Sequence, residues 1–310
     1  MALSKLSGDA AGVVFTQLCN VLEPRTAVYL SSASNELRTA TQALLQQLRA
    51  VHEAAAALCR KVGLRSCKEL REAQTVEWYK RGLSATDLAL LGRLGSVLPA
   101  LEKLYLVEPA ARPDGVQRLA AGLGAGALPA VTYLQLGGMH VGDAGASALA
   151  AALGRGALPR LKTLSLYSTA IGDAGLVALA PALRRLPKLE WLTLHHNPFG
   201  DEGIAALVAP PPPAGAPPTP TGGLTKLRVL SLGDTQVTDA GCVILAAALD
   251  SGALPALTGL YLDGIPASAA AQAAVREALA TSKADIASLS LLVPPDSDAF
   301  GLRCSACRVL

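Results

Sequence analysis

Apolar positions recur along the chain in a frame, L-x-x-L-x-L, that opens at Ala73, Leu101, Val131, Leu161, Leu189, Leu227, Leu257 and Ile286. Successive openings lie 28, 30, 30, 28, 38, 30 and 29 residues apart. A period of about 20 to 30 residues on such a frame predicts a solenoid, in which each unit buries its apolar side against its neighbours. In the unit opening at Leu161, the alternation of Leu164 and Leu166 turns one face of a short strand inward, and Leu161 and Ile171 close the turns beside it. Next comes Gly172-Asp173-Ala174-Gly175, which recurs at 142–145 and 200–203, and as Thr238-Asp239-Ala240-Gly241. Asp is a strong helix N-cap, so each Asp is expected to start its own helix. The helical spacing of stretches such as Leu176–Leu183 and Val243–Leu249 ends near Gly-Ala-Leu-Pro at 126–129, 156–159 and 252–255. Gly suits the left-handed residue after a helix, and Pro prevents continuation. One strand and one helix per unit predict an α/β fold, a right-handed horseshoe with parallel strands inside and helices outside.

The length of the unit and the helix in every repeat resemble the ribonuclease-inhibitor-like subfamily of leucine-rich repeats, from residue 73 onward. That resemblance implies a leucine-rich-repeat solenoid that binds a protein on its concave face. The chain departs from the subfamily at the ninth position, where Asn or Cys usually bonds neighbouring turns. Here that position holds Arg81, Pro109, Met139, Thr169, Asn197, Thr235, Ile265 and Pro294, so weaker loops and irregular curvature are expected.

Residues 1–72 stand outside the repeat. They predict two short amphipathic helices broken at Glu23-Pro24, then a longer helix capped by Ser34. Its apolar stripe is Leu37, Leu44, Leu48, Val51, Ala55, Leu58 and Val62, ending at Gly63. Ser66 and Glu69 suggest a capping box into a short helix that leads to the first strand. The plain reading is a helical cap on the open end of the array. The stretch also resembles an F-box, in a degenerate form, through Leu22-Glu23-Pro24-Arg25 and Ser34-Asn35-Glu36-Leu37-Arg38. The Leu-Pro that normally opens that motif is absent. The resemblance implies that Leu18, Leu22, Pro24 and Leu30 dock on a Skp-type adaptor of a cullin ubiquitin ligase, with the repeats reading the substrate. The expected organisation is a helical module at 1–72, an array at 73–293 and a tail at 294–310. A Pro-rich insertion at 209–223 explains the long fifth unit and is read as a tolerated surface loop.

Composition narrows the function. Mean hydropathy is +0.37, yet Gly, Pro or charge interrupts every apolar run before the roughly 18 residues that span a bilayer. The formal net charge is +3, spread too evenly for a nucleic-acid binder. No targeting segment is evident at the start, and six scattered cysteines make no disulfide framework. A cytoplasmic location is expected, with the nucleus as the alternative. Cys307-Arg308-Val309-Leu310 fits a prenylation motif at Cys307, and membrane contact is expected only if that cysteine is lipidated.

Strand positions outside the leucine frame must face solvent on the concave side. Five of the six tyrosines fall there, Tyr79, Tyr105, Tyr133, Tyr167 and Tyr261, together with Trp191. Rings suit strands in general, but large amphipathic rings are also the usual anchors of protein interfaces. Tyr133, Tyr167 and Trp191, in consecutive repeats, are expected to form one patch. His195, His196, Asp234 and Asp263 would add directional contacts, with His195 beside Tyr167 and His196 facing Asp234. Adjacent strand residues splay, so no metal site is expected there, no nucleophile has an evident base, and no phosphate-binding loop follows a strand. The expectation is a non-enzymatic protein-binding scaffold without cofactor or metal. The alternative is a small-GTPase regulator, since the same repeat subfamily resembles Ran GTPase-activating proteins.

Overall fold

The computed structural model describes residues 10, 12–15, 19–108, 111, 114–209 and 223–286. The N-terminal module contains α1 (Arg25–Ser32), α2 (Asn35–Val62) and α3 (Cys67–Glu72). The array follows as β1 (Thr75–Tyr79), α4 (Ala85–Leu94), β2 (Lys103–Val107), α5 (Asp114–Gly122), β3 (Tyr133–Gln135), α6 (Gly142–Gly154) and β4 (Thr163–Ser165). It continues through α7 (Asp173–Arg184), β5 (Trp191–Thr193), α8 (Asp201–Val208), β6 (Val229–Ser231), α9 (Asp239–Asp250), β7 (Gly259–Tyr261) and α10 (Ala269–Ile286). The seven strands form one open parallel sheet in chain order. Each starts at or near the third position of the leucine frame, and the registers match frame position to frame position, as in Leu134↔Leu164 and Leu164↔Leu192. The frame expected at Ile286 meets the end of α10, and the half repeat after it lies outside the described residues, as do Cys307 and most of the Pro-rich insertion.

One apolar core runs the length of the array and into the module. It joins Leu22, Ala55, Leu58, Cys59 and Val62 to Val76 and Trp78 of the first strand, and continues to Leu279. Ser34 caps α2 by accepting from Leu37 N at 3.1 Å, and Gly63 ends that helix with φ +87. At α3, Ser66 accepts from Glu69 N, but the Glu69 carboxylate accepts from Arg65 N at 2.8 Å, so the expected capping box is displaced by one residue. Lys61 Nζ donates to Asp87 Oδ2 at 2.7 Å and ties α2 to α4.

The Gly-Asp-x-Gly segments start helices by a route other than the one expected. The aspartate lies inside its own helix, and its carboxylate reaches the start of the next one. Asp143 Oδ1 accepts from Gly172 N at 2.7 Å. Asp173 Oδ1 accepts from Gly200 N at 2.8 Å and Gly203 N at 2.7 Å. Asp201 takes Thr238 N at 2.8 Å and its hydroxyl at 2.6 Å, and Asp239 takes Ser268 N at 2.5 Å and its hydroxyl at 2.9 Å. The reason is local: the N-cap residues of α7 and α8 are Gly172 and Gly200, which have no side chain to cap with, so the N–H groups at these helix starts need a neighbour's acceptor. The final glycine of each motif makes the space. A Cβ on Gly175 would lie 2.5 Å from Asp143 Oδ1, and one on Gly241 2.3 Å from Asp201 Oδ1.

The ninth positions divide as their chemistry dictates. Asn197 is buried, and its Oδ1 accepts from Thr169 N (3.1 Å) and Ile171 N (3.0 Å). Its Nδ2 donates to Leu166 O (2.7 Å) and Leu194 O (2.8 Å). Thr169 and Thr235 substitute in part, each hydroxyl donating to a carbonyl three residues back at 2.7 Å. Met139 and Ile265 fill the place with apolar volume. In the second repeat the preceding residue takes over, since buried Glu108 accepts from Leu83 N at 3.0 Å.

Candidate protein-binding face

The concave sheet carries the candidate residues in columns, because equivalent frame positions of adjacent strands lie side by side about 4.8 Å apart. The described ring contacts run diagonally across the first three strands. Tyr79, the seventh residue of its frame, has its ring centroid 6.3 Å from that of Tyr105, the fifth of the next. Tyr105 in turn lies 4.7 Å from Tyr133, the third of the next, with 34° between ring planes. Tilted pairs at these separations are each worth about 1 kcal/mol beyond their buried area. The Tyr133 hydroxyl then donates to Gln135 Oε1 at 3.1 Å, and Gln135 Nε2 reaches the Tyr167 hydroxyl at 3.5 Å. Tyr167 stacks on His195 with centroids 5.2 Å apart and planes within 6°. His195 Nδ1 meets the Ser231 hydroxyl at 3.3 Å. The result is one strip from Tyr79 to Ser231 across six strands.

The strip differs in its hinge from the patch expected of Tyr133, Tyr167 and Trp191. Gln135 joins Tyr133 to Tyr167, and Tyr167 leans toward the preceding repeat over Gly137, where an added Cβ would come within 2.1 Å of its ring. Trp191 is half-buried on β5, Tyr261 is 46% exposed on β7, and Asp263 is exposed. His196 faces Asp234 as expected, Nε2 to Oδ2 at 3.4 Å. Both sit at the eighth frame position, where the backbone is left-handed in six repeats: Lys80, Gly138, Ser168, His196, Asp234 and Gly264 have φ between 50 and 74. The expectation that all inter-leucine positions face solvent fails at Thr163, Ser165 and Ser231, which are buried. Their short side chains lie between longer ones on neighbouring strands.

Burial sets the electrostatics. It raises the phenols of Tyr79, Tyr105 and Tyr133 above the ordinary tyrosine value, and the Glu77 carboxylate adds to the rise at Tyr79 and Tyr105. Burial also lowers the His195 imidazole below its ordinary value, the His196 ring lowers it further, and Asp234 opposes them. His195 is therefore neutral at pH 7, fit to stack and hydrogen-bond. Among the described residues no group of three or more His, Cys, Asp or Glu is placed to hold a metal, and no helix is long and apolar enough to cross a membrane.

The module residues fall differently. Leu22 is 3% exposed and belongs to the main core, so its side chain offers an adaptor no surface. Pro24 and Leu30 are half-buried, beside exposed Val28 and Tyr29, and Leu18 lies outside the described residues. Sequence reasoning missed Gln135, Ser231 and the glycine seat of Tyr167. Gln135 was visible as the polar residue between two tyrosine columns.

Residues 158–180, 185–208 and 223–246 match the Leucine Rich repeat family model. Leucine-rich repeats are thereby matched in these three segments, and the open parallel sheet carries the same strand-and-helix unit through the rest of the described array. No curated protein matches it in sequence. Among solved structures it is similar to the actin-binding site 2 of leiomodin-1, at 13% identity and TM-score 0.32, over 76% of this chain and 91% of that one. It is also similar to an internalin from Listeria monocytogenes, at 16% identity and TM-score 0.35, over 65% of this chain and 51% of that one. A third is the ectodomain of the Arabidopsis receptor kinase HAESA in complex with a peptide hormone, at 17% identity and TM-score 0.31, over 58% of this chain and 23% of that one. The chain thus spans about half of the internalin and under a quarter of the receptor ectodomain. None superposes closely enough to lend this chain a ligand.

Proposed function

We propose that this chain is a non-enzymatic scaffold whose concave face holds a protein partner. The observation that carries the reading is the strip Tyr79–Tyr105–Tyr133–Gln135–Tyr167–His195, rings and polar tips alternating on a face where leucine-rich repeats leave side chains free to vary. Rings with few rotatable bonds lose little entropy on binding and bury large areas, which suits them as anchors. Affinity purification from cell extract with the full chain, repeated with Tyr105, Tyr133 and Tyr167 changed to Ala, tests it. Partner recovery is expected to drop at least tenfold; unchanged recovery would overturn the reading.

The finer reading, a substrate receptor on a cullin-type ligase in the cytoplasm, rests on the F-box-like module. Since Leu22 is in the core, contact with a Skp-type adaptor would fall to Pro24, Leu30 and the exposed Tyr29. Recovery of the adaptor with the wild-type chain and its loss with Tyr29→Asp would support this role.

A further inference from the structure

We propose that the trio Tyr79, Tyr105 and Tyr133, together with Glu77, receives an Arg or Lys side chain from the segment that lies on the concave face. The inference rests on the scaffold reading and names the chemistry of its partner. Glu77 stands directly across from Tyr105 in the register of β1 and β2, and two residues before Tyr79 on the same face. It is exposed, and none of the ion pairs among the described residues includes it. The nearby cations, Lys80 at the end of β1 and Lys103 beside Tyr133 in the register, leave it unpaired. Tyr79, 44% exposed, keeps a ring open to a visitor.

Any segment that covers these rings also takes water away from Glu77. A carboxylate desolvated without a partner is costly, so an apolar or proline-rich segment would gain ring contact and lose it again at the charge. An acidic segment would add repulsion. A basic side chain resolves both demands, lying against ring faces that attract cations while pairing with the carboxylate. Arg serves best, because its planar guanidinium stacks and bonds at once.

The test equilibrates the immobilised full chain with a random library of soluble peptides about twelve residues long, enough in extended form to cross the trio. Sequencing the retained pool is expected to show Arg and Lys enriched at least threefold over the input. Glu77→Gln is expected to abolish that enrichment, and Glu77→Lys to shift it toward Asp and Glu. Absence of retained peptides, basic content at the input level, or enrichment untouched by Glu77→Gln would each overturn the proposal. A pool released by Tyr105→Ala yet not enriched in basic residues overturns the basic partner and leaves the scaffold reading standing.

Discussion

The first two repeats and the later ones reach the same backbone by different chemistry. In the first, α4 is capped from within, Ser84 and Asp87 bonding each other's backbone N–H groups, and a buried glutamate, Glu108, serves the loop. From Asp143 to Asp239, each helix start is served by the repeat before it, and Asn197 stitches the fourth and fifth loops together. The family model matches only within this later part. The contrast teaches that repeat regularity is a property of polar wiring as much as of leucines. The run of rings Tyr79, Tyr105 and Tyr133 begins on the repeats that lack the regular wiring.

The comparison breaks most easily at Asn197. Asn197→Ala strands several buried backbone groups at once and is expected to cost about 3 kcal/mol in urea unfolding. A loss below about 1 kcal/mol would mean that the later loops do not depend on that wiring. Next is the contrast of caps: Asp173→Ala removes a charged acceptor from two N–H groups and is expected to cost about 2 kcal/mol, against about 1 kcal/mol for Ser84→Ala. Equal losses would erase the distinction between internal and borrowed capping.

Acid gives the smallest and most selective effect. His195 has a lowered folded-state pKa, so the unfolded chain takes up the proton first. Its contribution to stability is whole above the ordinary histidine value of about 6.5 and falls away as pH drops toward the lowered one. Asp87 is subject to burial, which would raise its carboxyl, but the Lys61 ammonium and the Ser84 backbone and hydroxyl outweigh it and hold the carboxyl below its ordinary value. That contribution is present above about pH 4 and is lost as pH falls through the lowered value. Thermal melts from pH 8 to pH 3 should therefore show a first step that His195→Gln removes and a later one that Asp87→Asn removes.

Much of this fold is legible in the leucines, because alternation and period are geometric demands that every repeat must meet. The seven strands and the columns of tyrosines follow from counting. What counting misses is lateral reach. Asp173 reads as a local cap because sequence spacing places it at a helix start, while its nearest unsatisfied donors belong to the next helix. Tyr133, Tyr167 and Trp191 read as neighbours because their strands are neighbours, while the lean of Tyr167 depends on Gly137 having no side chain. Leu22 reads as an exposed motif residue because the motif is linear, while in the fold it is buried in the same apolar core as Ala55 and Leu58, more than thirty residues onward.

The borrowed caps have a direction. Asp143, Asp173, Asp201 and Asp239 each serve the start of the helix that follows their own. Trimming repeats from the C-terminal end frees a carboxylate to water but leaves all remaining helices capped, whereas trimming from the other end strips a helix of its acceptor. In the order of synthesis, each of these carboxylates precedes the helix start that it serves. The ladder of carboxylates thus gives the later repeats a polarity that the leucines, alike in both directions, do not.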